Sequence, residues 1–282
     1  MKFCGHSMGT PGLDVFQSMD FMKTLGYDGI EIRVAANGQI DSETIGDGDI
    51  RRIRQHADAL GLSVACLTPY DKDFVTAARP ETIRRLLRVV EVAAGLGCDL
   101  VRVYGGLDPC PEGEWFVDNW SRTVSGLCEV ADAAAEHQVR LAVETHINTL
   151  VMSVRDALRM VDDVGRENIG ILLDMAWVDL AGVECGREAV LRAAPRLFHC
   201  HVKDWRLESR KPLRKTSCLM GEGTLGWKEV FTALREIGYA GWISDEYEKL
   251  WYPKELPAPE IGMKQNLDYV RRSLGSASGR GG

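Results

Sequence analysis

The chain has 282 residues, 45% of them hydrophobic, and a formal charge of -7, which allows one large barrel or two ordinary domains. Its acidic pI of about 5.5 argues against a nucleic-acid or anionic-membrane partner, since either calls for a basic face. The start MKFCGHSMG has no secretory-signal pattern, no apolar run approaches a membrane span, and the eight cysteines are irregularly spaced with no CxxC pair; a reduced, soluble, cytoplasmic protein is expected.

Short strand-like runs alternate with amphipathic helical ones. A strand at 3–6 precedes a helix at 13–25, stopped by Gly26. The run DGIEIRV, residues 28–34, sets Ile30, Ile32 and Val34 on one face and Glu31 and Arg33 on the other. A helix at 49–60, a strand at 62–67, a helix at 80–96 and a strand at 99–104 follow, then a helix at 117–137 and a strand at 139–144. The pattern continues with a helix at 153–164, a strand at 169–174, a helix at 187–194, a strand at 197–203, a helix at 227–237, a strand at 242–247 and a last helix at about 262–273. The Gly/Ser-rich tail 275–282 reads as disordered.

Eight strands each followed by a helix predict an α/β fold, a (β/α)8 TIM barrel spanning residues 1–274 as one domain. A doubly wound open sheet is the alternative, weakened because no GxGxxG follows the first strand.

Candidate chemistry gathers at the strand ends, which in such a barrel form one mouth. The stretch FHCHVKDW, residues 198–205, places His199, His201 and Lys203 on one strand face. These histidines are either hydrogen-bonded core groups or metal ligands. Glu144, Asp174 and Glu246 lie at the ends of the fifth, sixth and eighth strands, and His201 near the end of the seventh, so four adjacent strands converge. Three carboxylates crowded there, unless each is a structural ion-pair partner, need a counter-charge or a proton. One divalent ion held by Glu144, Asp174, His201 and Glu246 removes that conflict; three oxygen ligands and one imidazole suit Mn²⁺, Mg²⁺, Co²⁺ or Zn²⁺, and softness and geometry do not choose among them.

Those four residues, with GYDGIEIR near the start, HVKD, GEGTLGW and GWISDEYE, resemble the sugar phosphate isomerase/epimerase superfamily, the xylose-isomerase-like TIM barrels. The resemblance covers about residues 2–272. It implies a metal-dependent isomerase or epimerase that acts on a keto sugar, keto cyclitol or related polyhydroxy carbonyl compound through an enediolate. It also implies that Glu144 and Glu246 remove and return the proton. Lys203 is similar to the lysine of inosose-dehydratase-like HVKD segments, which would bind or protonate a substrate oxygen.

Two positions depart from the ketose 3-epimerase pattern. Trp177 stands where those enzymes carry a substrate-binding His, and Leu150 stands where they carry a second Glu. A standard ketose 3-epimerase is therefore not expected. His146 and Asn148 follow Glu144 on the same side and either reach substrate or belong to a solvated loop. Trp177 either stacks on a flat ligand or packs at the core rim. His6, Glu31 and Arg102 point inward as further candidate substrate contacts, with Glu31 alternatively paired to Arg102 or Arg33. Lys203 has Asp204 or Glu31 as candidate ion-pair partners. The basic loop 206–215 is either a phosphate clamp or a solvated lid, and His56 and His137 fall on helices without an assigned role.

A lyase using the same metal to expel a β-oxygen from a keto sugar, keto glycoside or inosose is the alternative enzyme. A repair endonuclease is disfavoured by the acidic pI and by too few histidines for a multi-zinc cluster. A non-catalytic sugar-binding barrel is disfavoured by the complete ligand set. The expected partner is a small carbohydrate, with no nucleic acid and no membrane; homo-oligomerisation remains open.

Overall fold

The computed structural model describes residues 1–108 and 113–275. Eight parallel strands close into a barrel: β1 (Lys2–His6), β2 (Gly29–Arg33), β3 (Ser63–Thr68), β4 (Leu100–Tyr104), β5 (Arg140–Glu144), β6 (Ile169–Asp174), β7 (Leu197–Val202) and, after a two-stranded excursion, β10 (Trp242–Asp245). Closure is made by β1 on β10, with Lys2 opposite Trp242 and Gly5 opposite Asp245. The helices between strands include α1 (Val15–Leu25), α2 (Asp47–Leu60), α3 (Arg79–Leu96), α4 (Gly113–Glu136) and α5 (Val154–Val164). After β6 come α6 (Met175–Ala181) and α7 (Gly186–Ala193), and the chain continues to α8 (Trp227–Glu236) and α9 (Pro259–Gly275). Among the described residues no helix is long and apolar enough to cross a membrane.

Strand alternation builds the two sides of the barrel wall. Ile30, Ile32, Val101, Val103, Cys200 and Val202 all lie in the outer hydrophobic cluster shared with the helices. The helices meet them with apolar stripes at helical spacing, as in Val154, Ala157, Met160, Val161 and Val164 of α5, all buried. Truncating one of these, Met160 for example, to Ala costs about 2–5 kcal/mol. Inside the barrel, Cys66, Leu100, Ala142 and Leu172 form a separate apolar layer. Leu100, Ala142 and Leu172 each stand two residues before an inward polar group, namely Arg102, Glu144 and Asp174. The interior therefore passes from an apolar floor to a charged upper layer as the strands run toward their C-terminal ends.

The structure departs from the sequence expectations in four places. The expected loop 206–215 is an antiparallel hairpin of β8 (Asp204–Arg210) and β9 (Leu213–Cys218). Its signal is the period-two order of Trp205 and Leu207 against Arg206 and Glu208. The short helix α6 starts directly after β6, because Asp174 caps it: Ala176 N–H donates to Asp174 Oδ1 at 3.0 Å. The last two barrel strands end earlier than expected, at Val202 and Asp245, although Glu246 N–H still donates to Val202 O at 3.0 Å. Gly275 closes α9 instead of opening the tail, and the rest of the expected tail lies outside the described residues.

Candidate metal and active site

Strand register brings the four predicted ligands together. Glu144 and Asp174 are the last residues of β5 and β6, and Asp174 pairs in register with His201. Glu246 follows β10 directly. One donor atom from each of Glu144, Asp174, His201 and Glu246 lies within 4.8 Å of those of the other three, and all four residues are buried. His201 Nδ1 is 3.2 Å from Glu144 Oε1 and 3.4 Å from Glu246 Oε2.

Two donor atoms in this quartet, Glu144 Oε1 and His201 Nδ1, are buried without a hydrogen bond and face each other at 3.2 Å, while Asp174 Oδ2 has only the Lys203 ammonium beside it, at 2.7 Å. Buried polar atoms are nearly always bonded, so an unbonded carboxylate oxygen and imidazole nitrogen facing each other require an explanation. A set of carboxylate oxygens and one imidazole nitrogen converging on one point fits a divalent cation of the Mn²⁺, Mg²⁺, Co²⁺ or Zn²⁺ kind.

The support beneath the quartet was not legible as such from sequence. His201 Nε2 lies 2.8 Å from Glu31 Oε1, and His199 Nε2 lies 2.9 Å from Glu31 Oε2. Glu31 is fully buried. It therefore lies inside the barrel with both oxygens engaged, and the pairing expected with Arg102 or Arg33 is replaced by two histidines. The reason is reach: Arg33 bonds Asn37 at its carbonyl (2.8 Å) and its side-chain oxygen (2.6 Å), and Arg102 is committed to Glu144 and to Pro69 O. The bond from Glu31 fixes the His201 ring so that Nδ1 faces the quartet, the usual arrangement for an imidazole ligand held by a carboxylate.

His6 sits in the same interior layer, its Nε2 3.8 Å from Glu31 Oε1. Met8 N–H donates to His6 Nδ1 at 3.0 Å, which leaves the ring proton on Nε2. That proton meets Thr68 Oγ1 at 3.0 Å, whose own hydroxyl donates to Ile32 O. Burial lowers the His6 pKa to about 4, so the ring is neutral and its contacts are protein atoms.

Lys203 lies at the junction of β7 and the hairpin, 2.7 Å from Asp174 Oδ2 and 2.5 Å from Glu246 Oε2. A third carboxylate, Glu248 Oε1, is 3.5 Å away. The two partners considered for it from sequence are thus replaced. Asp204 turns instead to accept the backbone N–H of Trp205, Gly221 and Gly223 at 2.9, 2.9 and 3.2 Å, which fastens the GEGTLGW segment to the barrel. Glu248 was missed, yet it had a signal: it stands two residues beyond Glu246, the spacing that returns an extended chain to the same side.

Burial is the largest influence on these carboxyls and pushes each pKa upward. In Glu144 the charges of Arg102 and His201 outweigh it and hold the group at about 2. In Glu246 Lys203 and His201 outweigh it and hold the group well below the usual range. In Asp174 burial prevails, because Glu246 and Glu144 reinforce it against Lys203, and the pKa rises to about 8. The carboxylate crowding anticipated from sequence is thus felt at Asp174. Burial alone would lower the Lys203 pKa; Asp174, Glu246 and Glu248 reverse this and keep it a firm cation.

An aromatic band borders the quartet. The His146 ring lies 5.0 Å from Tyr104 and 5.1 Å from Trp177, and Trp177 lies 5.0 Å from Trp205 on the hairpin. His146 Nδ1 is 2.6 Å from Ile147 O, so Nδ1 carries the proton and Nε2 is left as an acceptor. The Lys203 ammonium is 4.8 Å from the Trp177 ring, and Arg102 lies over Tyr104 at 4.0 Å. Asn148 is exposed at positive φ and its carbonyl accepts Lys72, whereas Leu150 is turned into the core. Cations of the hairpin are drawn to local acids, Arg206 to Glu222 at 3.4 Å and Arg210 to Asp179 at 3.2 Å.

Beside the mouth is a cavity of about 530 Å³ lined by Val34, Asp41, Glu43, Tyr70, Asp71 and Arg85. Tyr70 links it to the site, since its ring lies 5.1 Å from Arg102. A cavity of about 580 Å³ bordered by Lys2, Ser63, Arg140 and Trp242 sits at the strand starts, the opposite end of the barrel.

Comparison with known proteins places this geometry in context. An inosose dehydratase of Geobacillus thermodenitrificans is 26% identical over 144 residues, covering 47% of this chain and 48% of that enzyme, so the match spans about half of each. A D-psicose 3-epimerase of Enterocloster bolteae is 25% identical over 239 residues, covering 81% of this chain and 75% of that protein. The solved structure of an L-ribulose 3-epimerase superposes with a TM-score of 0.80 at 19% identity, over 97% of this chain and 94% of that one, a likeness of fold. The model of the xylose isomerase-like TIM barrel family matches residues 19–273. With the closed eight-stranded barrel and its strand-end quartet, that match over most of the chain shows that this protein belongs to the xylose isomerase-like TIM barrel family.

Proposed function

We propose that this protein is a divalent-metal-dependent isomerase or epimerase of a small neutral keto sugar, keto cyclitol or related polyhydroxy carbonyl compound. The observation that carries the reading is the buried quartet of Glu144, Asp174, His201 and Glu246, with one donor atom of each within 4.8 Å of the other three and Glu144 Oε1 and His201 Nδ1 facing each other unbonded. A divalent cation bound there supplies Lewis-acid polarisation of a substrate carbonyl, which acidifies the neighbouring C–H bond. Glu246, directly after β10, and Glu144, the last residue of β5, are assigned to take that proton and to return one to the opposite face. The C–H bond breaks as an O–H forms on one ionised glutamate, and its electron pair moves onto the carbonyl oxygen. The other glutamate, which must first take up a proton from water, gives that proton to the opposite face. Both exchange protons with water between turnovers, leaving an isomer of unchanged composition. Lys203 donates to the substrate oxygen that gains negative charge. Arg102 fixes Glu144 Oε2 and leaves Oε1 turned toward the reaction.

Trp177, next to Lys203 and His146, is assigned to the C–H side of a sugar, and His146 Nε2 accepts from a hydroxyl. The pairing of Arg206 and Arg210 with local acids supports an unphosphorylated substrate. The overall negative charge supports a reading without nucleic acid.

A second reading, β-elimination, is favoured by Lys203. Its ammonium lies against both Asp174 and Glu246, where it is placed to protonate a leaving oxygen. The full-length protein with Mn²⁺ is incubated in D₂O with a panel of ketoses, inososes and keto glycosides, and products are followed by NMR and mass spectrometry. Deuterium next to the carbonyl with an otherwise unchanged formula supports isomerisation. Loss of water or an alcohol supports elimination. No exchange with any member of the panel overturns both.

A further inference from the structure

Lys203 is shared between carboxylates that have different tasks. Two of its partners, Asp174 Oδ2 at 2.7 Å and Glu246 Oε2 at 2.5 Å, belong to the quartet. The third, Glu248 Oε1 at 3.5 Å, does not. A divalent cation and an ammonium drawn to the same two oxygens repel each other and compete for the same lone pairs. Lys203 cannot escape into water at little cost, because it is buried and lies against the Trp177 ring. It needs a carboxylate that is near, charged and outside the ligand set.

Glu248 is near and outside the ligand set, and it has an ammonium on each side, Lys203 and Lys215, to favour its charged form. It is buried, and its other oxygen, Oε2, is 4.0 Å from Lys215 Nζ. Lys215 is itself held 4.0 Å from the Tyr252 ring and 4.6 Å from the Trp205 ring. Glu248 is therefore anchored on its far side, with its near oxygen facing Lys203. Resting on the metal-dependent function proposed above, we infer that Glu248 is a positioning residue: it retains Lys203 when the quartet holds its divalent cation, and so sets metal affinity and aims the ammonium at the substrate.

With Gln at this position Lys203 has charged partners only in the quartet, and the cation must compete with it. The test is calorimetric titration of Mn²⁺ into metal-stripped full-length protein at one fixed pH, for wild type, E248Q, E248D, K203M and K203M/E248Q. Circular dichroism melts report whether each variant is folded. E248Q is expected to weaken Mn²⁺ binding by about 10–100-fold, the range for partners that orient a metal site, and E248D to recover part of the loss. K203M is expected to bind at least as tightly as wild type, and adding E248Q to it is expected to change nothing further.

Wild-type affinity in E248Q, or the same loss in the K203M background as in the wild-type background, overturns the inference while leaving the metal-dependent reading intact. A wild-type protein that takes up no Mn²⁺ overturns both. Should K203M fail to fold, E248Q and E248D decide alone: loss with Gln and recovery with Asp support the role, and equal losses refute it.

Discussion

His201 Nε2 and Glu31 Oε1, 170 residues apart in sequence, lie 2.8 Å apart in the barrel interior. The contact joins β7 to β2 across the barrel, and it sets which imidazole nitrogen faces the quartet. Glu31→Gln keeps the shape but replaces a carboxylate with an amide that cannot hold two imidazoles as hydrogen-bond donors. Mn²⁺ affinity should fall by about 10–100-fold, measured by calorimetric titration. Unchanged affinity would show that His201 is oriented by packing alone.

Glu246 has a role beyond ligation in the proposed reaction. In Glu246→Gln, turnover at saturating Mn²⁺ should fall by about 10²–10⁴-fold, the usual worth of a general base. Exchange of substrate hydrogen with D₂O should fall with it. Metal occupancy is checked in the same samples by elemental analysis, and full turnover with metal bound would remove Glu246 from the proton transfer.

Arg102 is the main counter-charge for a buried Glu144. Arg102→Met leaves that carboxylate uncompensated, which costs about 3–5 kcal/mol and should appear as a lowered unfolding midpoint in urea. Mn²⁺ offers a substitute charge: at a hundred times its Kd a ligand bound only by the folded state adds about 2.7 kcal/mol. The variant should therefore be partly rescued by Mn²⁺, and a loss that the ion does not reduce would contradict metal binding through Glu144.

Gly223 lies against the Asp204 clamp. A Cβ built on it would stand 2.0 Å from Asp204 Oδ1 and 2.5 Å from the Trp205 carbonyl oxygen. Gly223→Ala should destabilise the fold by about 1–3 kcal/mol through this overpacking, read from urea denaturation. A variant of wild-type stability would show that the 221–227 segment shifts freely.

The barrel and the quartet were legible in the chain. Ile30 and Ile32 alternate with Glu31, and Cys200 and Val202 alternate with His199 and His201; a period of two assigns each to the helix side or the interior without knowledge of any partner. Glu144, Asp174 and Glu246 end their strands, and parallel strands ending at one mouth bring such residues together. The helix α6 was hidden because the residue that caps it, Asp174, also reads as a strand end and a ligand. The partners of Lys203 and Glu31 were beyond reach for a different reason. A local pattern says which way a side chain points, but which oxygen it meets depends on strand register around the closed ring and on what its competitors already hold. Only closure of the barrel committed Arg102 to Glu144, left Glu31 to His199 and His201, and set Lys203 between Asp174, Glu246 and Glu248.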